Sequence, residues 1–178
     1  MEHGARTGGP CRACGHELTR SVTDLGMHPP CQRFLTVDQT VEMEPFYPLQ
    51  VWVCDECWLV QIGAHVAPEE IFVEYAYFSS FSDAWLQHTK QYADDMTERF
   101  GLGAGSLVVE VASNDGYMLQ WFVEKQIPVL GIEPAKNCAE VAEGKGVRTI
   151  TEFFDRELAT RLREDGVRAN LLAGKNVM

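Results

Sequence analysis

The stretch Ser106-Leu107-Val108-Val109-Glu110-Val111-Ala112-Ser113-Asn114-Asp115-Gly116 decides the fold. Its first half is a dense apolar run, the pattern of a strand buried on both faces. Its second half is short and polar and ends in glycine, which suits a tight turn into a helix. The pattern then repeats. After a first strand at 106–112, residues 116–126 read as a helix, 128–133 as a strand and 136–145 as a helix. Residues 147–150 read as a short strand, 155–165 as a helix and 168–173 as a fourth strand. Alternation with short connections predicts a parallel sheet with right-handed crossovers. Such sheets bind ligands beyond the carboxyl ends of their strands, so the residues just after 112, 133 and 173 carry the information.

The first of these turns departs from the dinucleotide pattern G-x-G-x-x-G. Two expected glycines are replaced, and Glu110 and Asp115 add negative charge. A pyrophosphate would be repelled there, whereas a sulfonium and an ammonium would be attracted. This favours S-adenosylmethionine, which has no phosphate. The second turn reads Gly131-Ile132-Glu133-Pro134, with the acid 17 residues beyond Gly116. An acid at that strand end accepts hydrogen bonds from ribose hydroxyls.

Upstream lie two tight cysteine pairs, Cys11-Arg12-Ala13-Cys14 and Cys54-Asp55-Glu56-Cys57. Two intervening residues let both thiolates of a pair turn toward one point, and two such turns make the closed tetrahedral cage of structural zinc. Gly15 suits the end of the first knuckle. Residues 51–53 and 58–60 read as the strands of a hairpin with the second knuckle at its tip. The pairs are 39 residues apart, so an inserted segment must fold around the site. A redox CxxC pair would instead need a helix start in a thioredoxin-like βαβ pattern, which is absent. Cys31 and Cys138 lack partners at ligand spacing and read as packed thiols. His16 and His65 are further candidate ligands.

Residues 66–81 form a connector dense in aromatics, including Tyr75, Tyr77, Phe78 and Phe81. Ser82-Asp83 cap a helix near 83–100, whose apolar stripe is Trp85, Tyr92, Ala93, Met96 and Phe100, with Gly101 as its stop. The expected organisation is a zinc module over 1–65, a connector and helix over 66–105, and a partial Rossmann-like domain over 106–178. The 178 residues include 15 Lys and Arg against 26 Asp and Glu, a formal charge of −11. That acidic balance disfavours nucleic acid as a partner. No basic, apolar leader and no run of roughly 20 apolar residues is present, so a cytoplasmic protein without a membrane partner is expected. The oligomeric state stays open, with a monomer as the default.

The assembled segments resemble the sugar-nucleotide C-methyltransferases, S-adenosylmethionine enzymes with a small amino-terminal zinc module. The resemblance rests on the paired cysteines, Tyr75-Ala76-Tyr77-Phe78-Ser79-Ser80, the turn Glu110–Gly116, Gly131-Ile132-Glu133-Pro134-Ala135, and Ala173-Gly174-Lys175-Asn176-Val177. It implies an α/β fold: the zinc module, then the first half of a class I methyltransferase sheet. It implies that Cys11, Cys14, Cys54 and Cys57 hold one structural zinc. Glu110, Ala112, Asn114, Asp115 and Gly116 would line the methionine end of the cofactor, and Glu133 with Pro134 its ribose. Phe78, Ser79, Ser80, Gly174 and Asn176 would complete that site. Tyr75 would be a catalytic residue facing the sugar, with Tyr77 beside it. The implied reaction is methyl transfer to C3 of a thymidine-diphosphate-linked 4-keto-6-deoxy sugar through an enolate, in deoxysugar or antibiotic biosynthesis. Family members are roughly twice as long, and the histidine and the Glu-His pair expected further downstream fall beyond Met178, so no residue is assigned as the base. The rival from another class is a non-catalytic zinc-ribbon adaptor or binding module.

Overall fold

The computed structural model describes residues 8–63, 66–175 and 177. The chain divides into two compact units, Met1–Ile71 and Phe72–Met178. The first holds an antiparallel sheet in the order β1 (Arg20–His28), β2 (Tyr47–Val53), β3 (Val60–Ile62). β2 and β3 are the expected hairpin, pairing Val51 with Ile62 and Val53 with Val60, with the second cysteine pair at its tip. β1 is the main element of the long insert and is exposed along its whole length. Among the described residues the buried apolar cluster here is Cys11, Leu18, Trp52 and Cys54. Half of that cluster is cysteine from the two pairs, so hydrophobic burial contributes little to this unit's stability.

The second unit begins with the end of α1 (Pro68–Phe72) and a 3-10 turn at Ser79–Phe81. Helix α2 (Asp83–Phe100) follows. Ser82 caps it, its Oγ accepting from the Trp85 N–H at 3.3 Å, and Gly101 ends it in the left-handed region. Ala93 is buried, and Trp85, Tyr92 and Met96 pack on the core as the stripe predicts. Phe100 does not. It lies 52% exposed in the last turn, with the Arg99 guanidinium over its ring. Buried Thr89 belongs to the inner face instead, between the Leu86 carbonyl and the Trp121 indole.

The sheet has β4 (Val108–Val111), β5 (Val129–Ile132), β6 (Thr149–Ile150) and β7 (Leu171–Gly174), all parallel, in the order β6-β5-β4-β7. The helices are α3 (Gln120–Glu124), α4 (Lys136–Gly144) and α5 (Arg156–Glu164). This is the partial Rossmann-like sheet expected. One apolar layer gathers Val108, Met118, Phe122, Ala142 and Val147. The other gathers Val109, Leu130, Ile132 and Leu158. The alternation of Val108 and Val109 between the layers is what buries both faces of β4. β5 lies on one side of β4 and β7 on the other, so the chain changes direction across β4. A crevice opens at such a switch point, outside the carboxyl ends of the strands.

α3 starts later than residue 116. Ala112, Asn114 and Gly116 take φ of 54°, 49° and 73°, and left-handed residues cannot enter an α-helix. Residues 116–119 are turns closed by the Gln120 N–H on the Gly116 carbonyl at 3.0 Å. Among the described residues no helix is long and apolar enough to cross a membrane.

Candidate cofactor cleft and metal centre

The two cysteine pairs build matching knuckles. The Gly15 N–H donates to the Cys11 carbonyl at 2.9 Å, and the Trp58 N–H donates to the Cys54 carbonyl at 3.0 Å. The Cys11 N–H donates to the His16 carbonyl at 2.8 Å, and the Cys54 N–H to the Leu59 carbonyl at 3.0 Å. Gly15 and Trp58 occupy the same left-handed position, at φ of 76° and 64°. The four Sγ atoms lie within 4.8 Å of one another. Cys11 to Cys57 and Cys14 to Cys54 are both 3.6 Å. A tetrahedron with metal–sulfur bonds of about 2.3 Å has edges of about 3.8 Å, so the donor set fits one zinc with no position left for water or substrate.

Gln61, which the sequence did not single out, organises the cage. Its side chain is buried, its Nε2 donates to Cys11 Sγ at 3.2 Å, and its Oε1 accepts from the Arg12 N–H at 3.1 Å. The Cys14 backbone N–H and this amide draw the Cys11 thiol down to about 6, which favours the ligating thiolate. His16 contributes its carbonyl rather than its ring, and His65 lies outside the described residues. Cys31 is exposed rather than packed. Cys138 is packed, and burial pushes its thiol up to about 12.

In the second unit a cleft of about 650 Å³ opens at the carboxyl ends of the strands. That volume is ordinary for a small-molecule site. Val111 and Ala112 line it at the end of β4, Ile132, Glu133 and Pro134 at the end of β5, and Lys175 just beyond β7. Tyr75, Tyr77, Ser79 and Asn114 also line it, as do Phe153 and Phe154 after β6. Trp85 and Tyr117 line it too, their ring centroids 6.1 Å apart.

Three carboxyl groups are buried near these strand ends, each differently placed, and of the three Glu133 lines the cleft. Glu133 accepts from the Asn114 N–H at 2.8 Å and from the Ala135 N–H at 2.9 Å. It thereby ties the first strand-end turn to the second, and each oxygen keeps a lone pair for a further donor. Asp115 pairs with Lys145 at 3.0 Å and accepts from the Ser80 hydroxyl, while its Oδ1 has no hydrogen-bond partner among the described residues. Glu110 is fully buried. The Tyr117 hydroxyl acts on it, yet neither carboxyl oxygen meets hydrogen-bond geometry with a described residue. Burial raises its pKa to about 8, against a smaller opposing pull from Tyr117 and Lys175.

The three positive-φ residues give the 112–116 turn a glycine-loop backbone while two of them keep side chains. Asn114 shows why this matters. Its Oδ1 accepts from the Ser79 N–H at 2.8 Å, and its Nδ2 donates to the Tyr77 carbonyl at 3.1 Å. Asn137, another residue the sequence did not single out, does the same one step upstream. Its Oδ1 accepts from the Tyr75 N–H at 3.1 Å, and its Nδ2 donates to the Tyr75 carbonyl at 2.8 Å. Two side-chain amides thus replace a strand ladder and hold the aromatic connector along the cleft. Ser80 is held through Asp115, and Phe78 packs on Phe81 with ring centroids 5.4 Å apart. Gly174 closes β7, and Asn176 lies outside the described residues.

The four-sulfur cage defines a zinc module, and the strand-end cleft of the second unit carries the Glu133 carboxyl and the Lys175 ammonium on its wall. Comparison with known proteins agrees. Residues 11–72 match the family model of a zinc binding domain. The chain is 34% identical over 165 residues to the C-methyltransferase NovU of Streptomyces niveus, covering 93% of this chain and 39% of that relative. It is therefore homologous to the amino-terminal part of a C-methyltransferase and spans about two fifths of that relative's length.

Proposed function

We propose that this chain holds the cofactor site of an S-adenosylmethionine-dependent C-methyltransferase. The substrate is a thymidine-diphosphate-linked 4-keto-6-deoxy sugar. The observation that carries the reading is the Glu133 carboxyl at the end of β5, held by two backbone N–H groups on the wall of a strand-end cleft of adequate size. Such a lining repels a pyrophosphate and suits a cationic ligand with ribose hydroxyls. The same lining has no use in a non-catalytic adaptor.

When bound, S-adenosylmethionine supplies an electrophilic methyl group. Around it, Glu133 accepts the ribose hydroxyls while its backbone bonds hold it still. Asn114 and Asp115 orient the amino-acid end, and the 112–116 turn lets the backbone approach closely. Tyr75 and Tyr77, fixed by Asn137 and Asn114, present their rings to the sugar side. The 4-ketone would acidify the C3 proton for a base to remove, and the bound cofactor would supply its methyl group to that carbon, the methyl–sulfur bond breaking to leave S-adenosylhomocysteine. None of the described residues is assigned as that base. The zinc cage sits in the other unit's knuckles and acts on folding, not on the methyl transfer.

Calorimetry with S-adenosylhomocysteine tests this reading on the zinc-loaded chain. Micromolar binding is expected for the wild type, weakened at least tenfold by Glu133→Gln. A folded, zinc-loaded chain that binds nothing refutes it.

A further inference from the structure

Lys175 is the one basic side chain lining the cleft among the described residues. Its Nζ lies 5.0 Å from the Trp85 ring centroid and 4.5 Å from that of Tyr92. No carboxylate among the described residues comes within ion-pair distance of it. Two ring faces hold the ammonium in place without neutralising it, so its donors remain available to an anion. It also sits one residue beyond Gly174, which registers against Val111 on β4, next to the buried Glu110. Glu110 and Lys175 act on each other electrostatically, yet they form no direct pair. The cleft wall therefore carries one cation without an ion-pair partner, Lys175, and one carboxyl, Glu133, on neighbouring segments.

An α-amino acid group carries the complementary pair, an ammonium and a carboxylate on one carbon. A phosphate dianion would bring two negative charges to the single cation Lys175 beside the Glu133 carboxyl, whereas an α-carboxylate brings one and carries its own ammonium. We propose that Lys175 is the binding residue for the carboxylate of a zwitterionic α-amino acid moiety, the methionine end of the ligand. This rests on the cofactor reading above. Trp85 and Tyr92 are then positioning residues that aim the ammonium into the cleft. The role belongs to this side chain's chemistry, since the flanking Gly174 offers only backbone there.

The test compares S-adenosylhomocysteine with 5′-methylthioadenosine, which has the same nucleoside and no amino acid group. Calorimetry uses the zinc-loaded 178-residue chain. Wild type is expected to bind S-adenosylhomocysteine at least tenfold more tightly. Lys175→Met and Lys175→Gln should remove most of that advantage and leave methylthioadenosine affinity unchanged, while Lys175→Arg should keep it. Equal losses for both ligands in both neutral variants would make Lys175 a structural counter-charge and overturn the proposal, as would undiminished S-adenosylhomocysteine affinity. Failure of the cofactor reading looks different: a folded wild-type chain then binds neither ligand, and the Lys175 assignment falls with it.

Discussion

Gly116→Ala should destabilise the second unit by two separable effects. Gly116 sits at φ 73°, and a side chain in the left-handed region costs about 1–2 kcal/mol. A Cβ there would also lie 3.1 Å from Val147 Cγ2, 3.2 Å from Ala142 Cβ and 3.3 Å from Ala142 Cα. The last of these is backbone and cannot swing aside, so overpacking adds about 1–3 kcal/mol. Gly101 is the internal control. It has φ 59°, and no heavy atom within 4 Å of its ideal Cβ, so Gly101→Ala carries the conformational cost alone. The expected losses are about 1–2 kcal/mol for Gly101→Ala and about 2–5 kcal/mol for Gly116→Ala. Native-state hydrogen exchange of the Leu130 and Ile132 amides reads opening of this unit without interference from the zinc module. The difference should speed exchange by roughly 5- to 150-fold in Gly116→Ala over Gly101→Ala. Equal acceleration in the two variants would refute the close approach of α4 to the 112–116 turn.

Two further outcomes are expected. Metal analysis should find about one zinc per chain, lost in Cys54→Ser, and Gln61→Leu should weaken retention against a chelator by about tenfold or more, since the Gln61 amide is what holds the Cys11 sulfur; unchanged retention contradicts that role. The buried Glu110 carboxyl has a folded pKa of about 8, above its unfolded value, so it favours the folded state only while protonated. Its contribution is fully present below the unfolded pKa and is lost as pH rises toward 8. Urea midpoints of the second unit should thus fall between about pH 5 and pH 8 in wild type, and Glu110→Gln should flatten that fall; parallel profiles would show that the carboxyl is not isolated from water.

The sheet and the cysteine cage were legible because both are written in local pattern. β4 reads as buried on both faces since Val108 and Val109 enter opposite apolar layers. The cage reads from spacing, since each knuckle closes within six residues. What escaped depends on contacts far apart in the chain. Asn137 opens α4 with no sign that its amide will grip Tyr75, 62 positions away. Gln61 lies on a short strand with nothing to mark it as a sulfur donor's partner 50 positions away. The late start of α3 follows from Ala112 and Asn114 adopting glycine-like φ, which their side chains disfavour and the Glu133 and Ser79 contacts enforce. Phe100 fits the stripe by count alone, but α2 ends there and its last turn runs past the edge of the core.

The central claim is that the strand-end cleft binds a nucleoside with an amino-acid tail. Heteronuclear NMR titration of the zinc-loaded chain with S-adenosylhomocysteine tests it most directly. The amides of Asn114 and Ala135, which donate to Glu133, should shift together with Val111 and Gly174. Residues of β1 to β3 should stay in place. Shifts confined to the zinc unit, or no shifts at saturating ligand, would contradict the account.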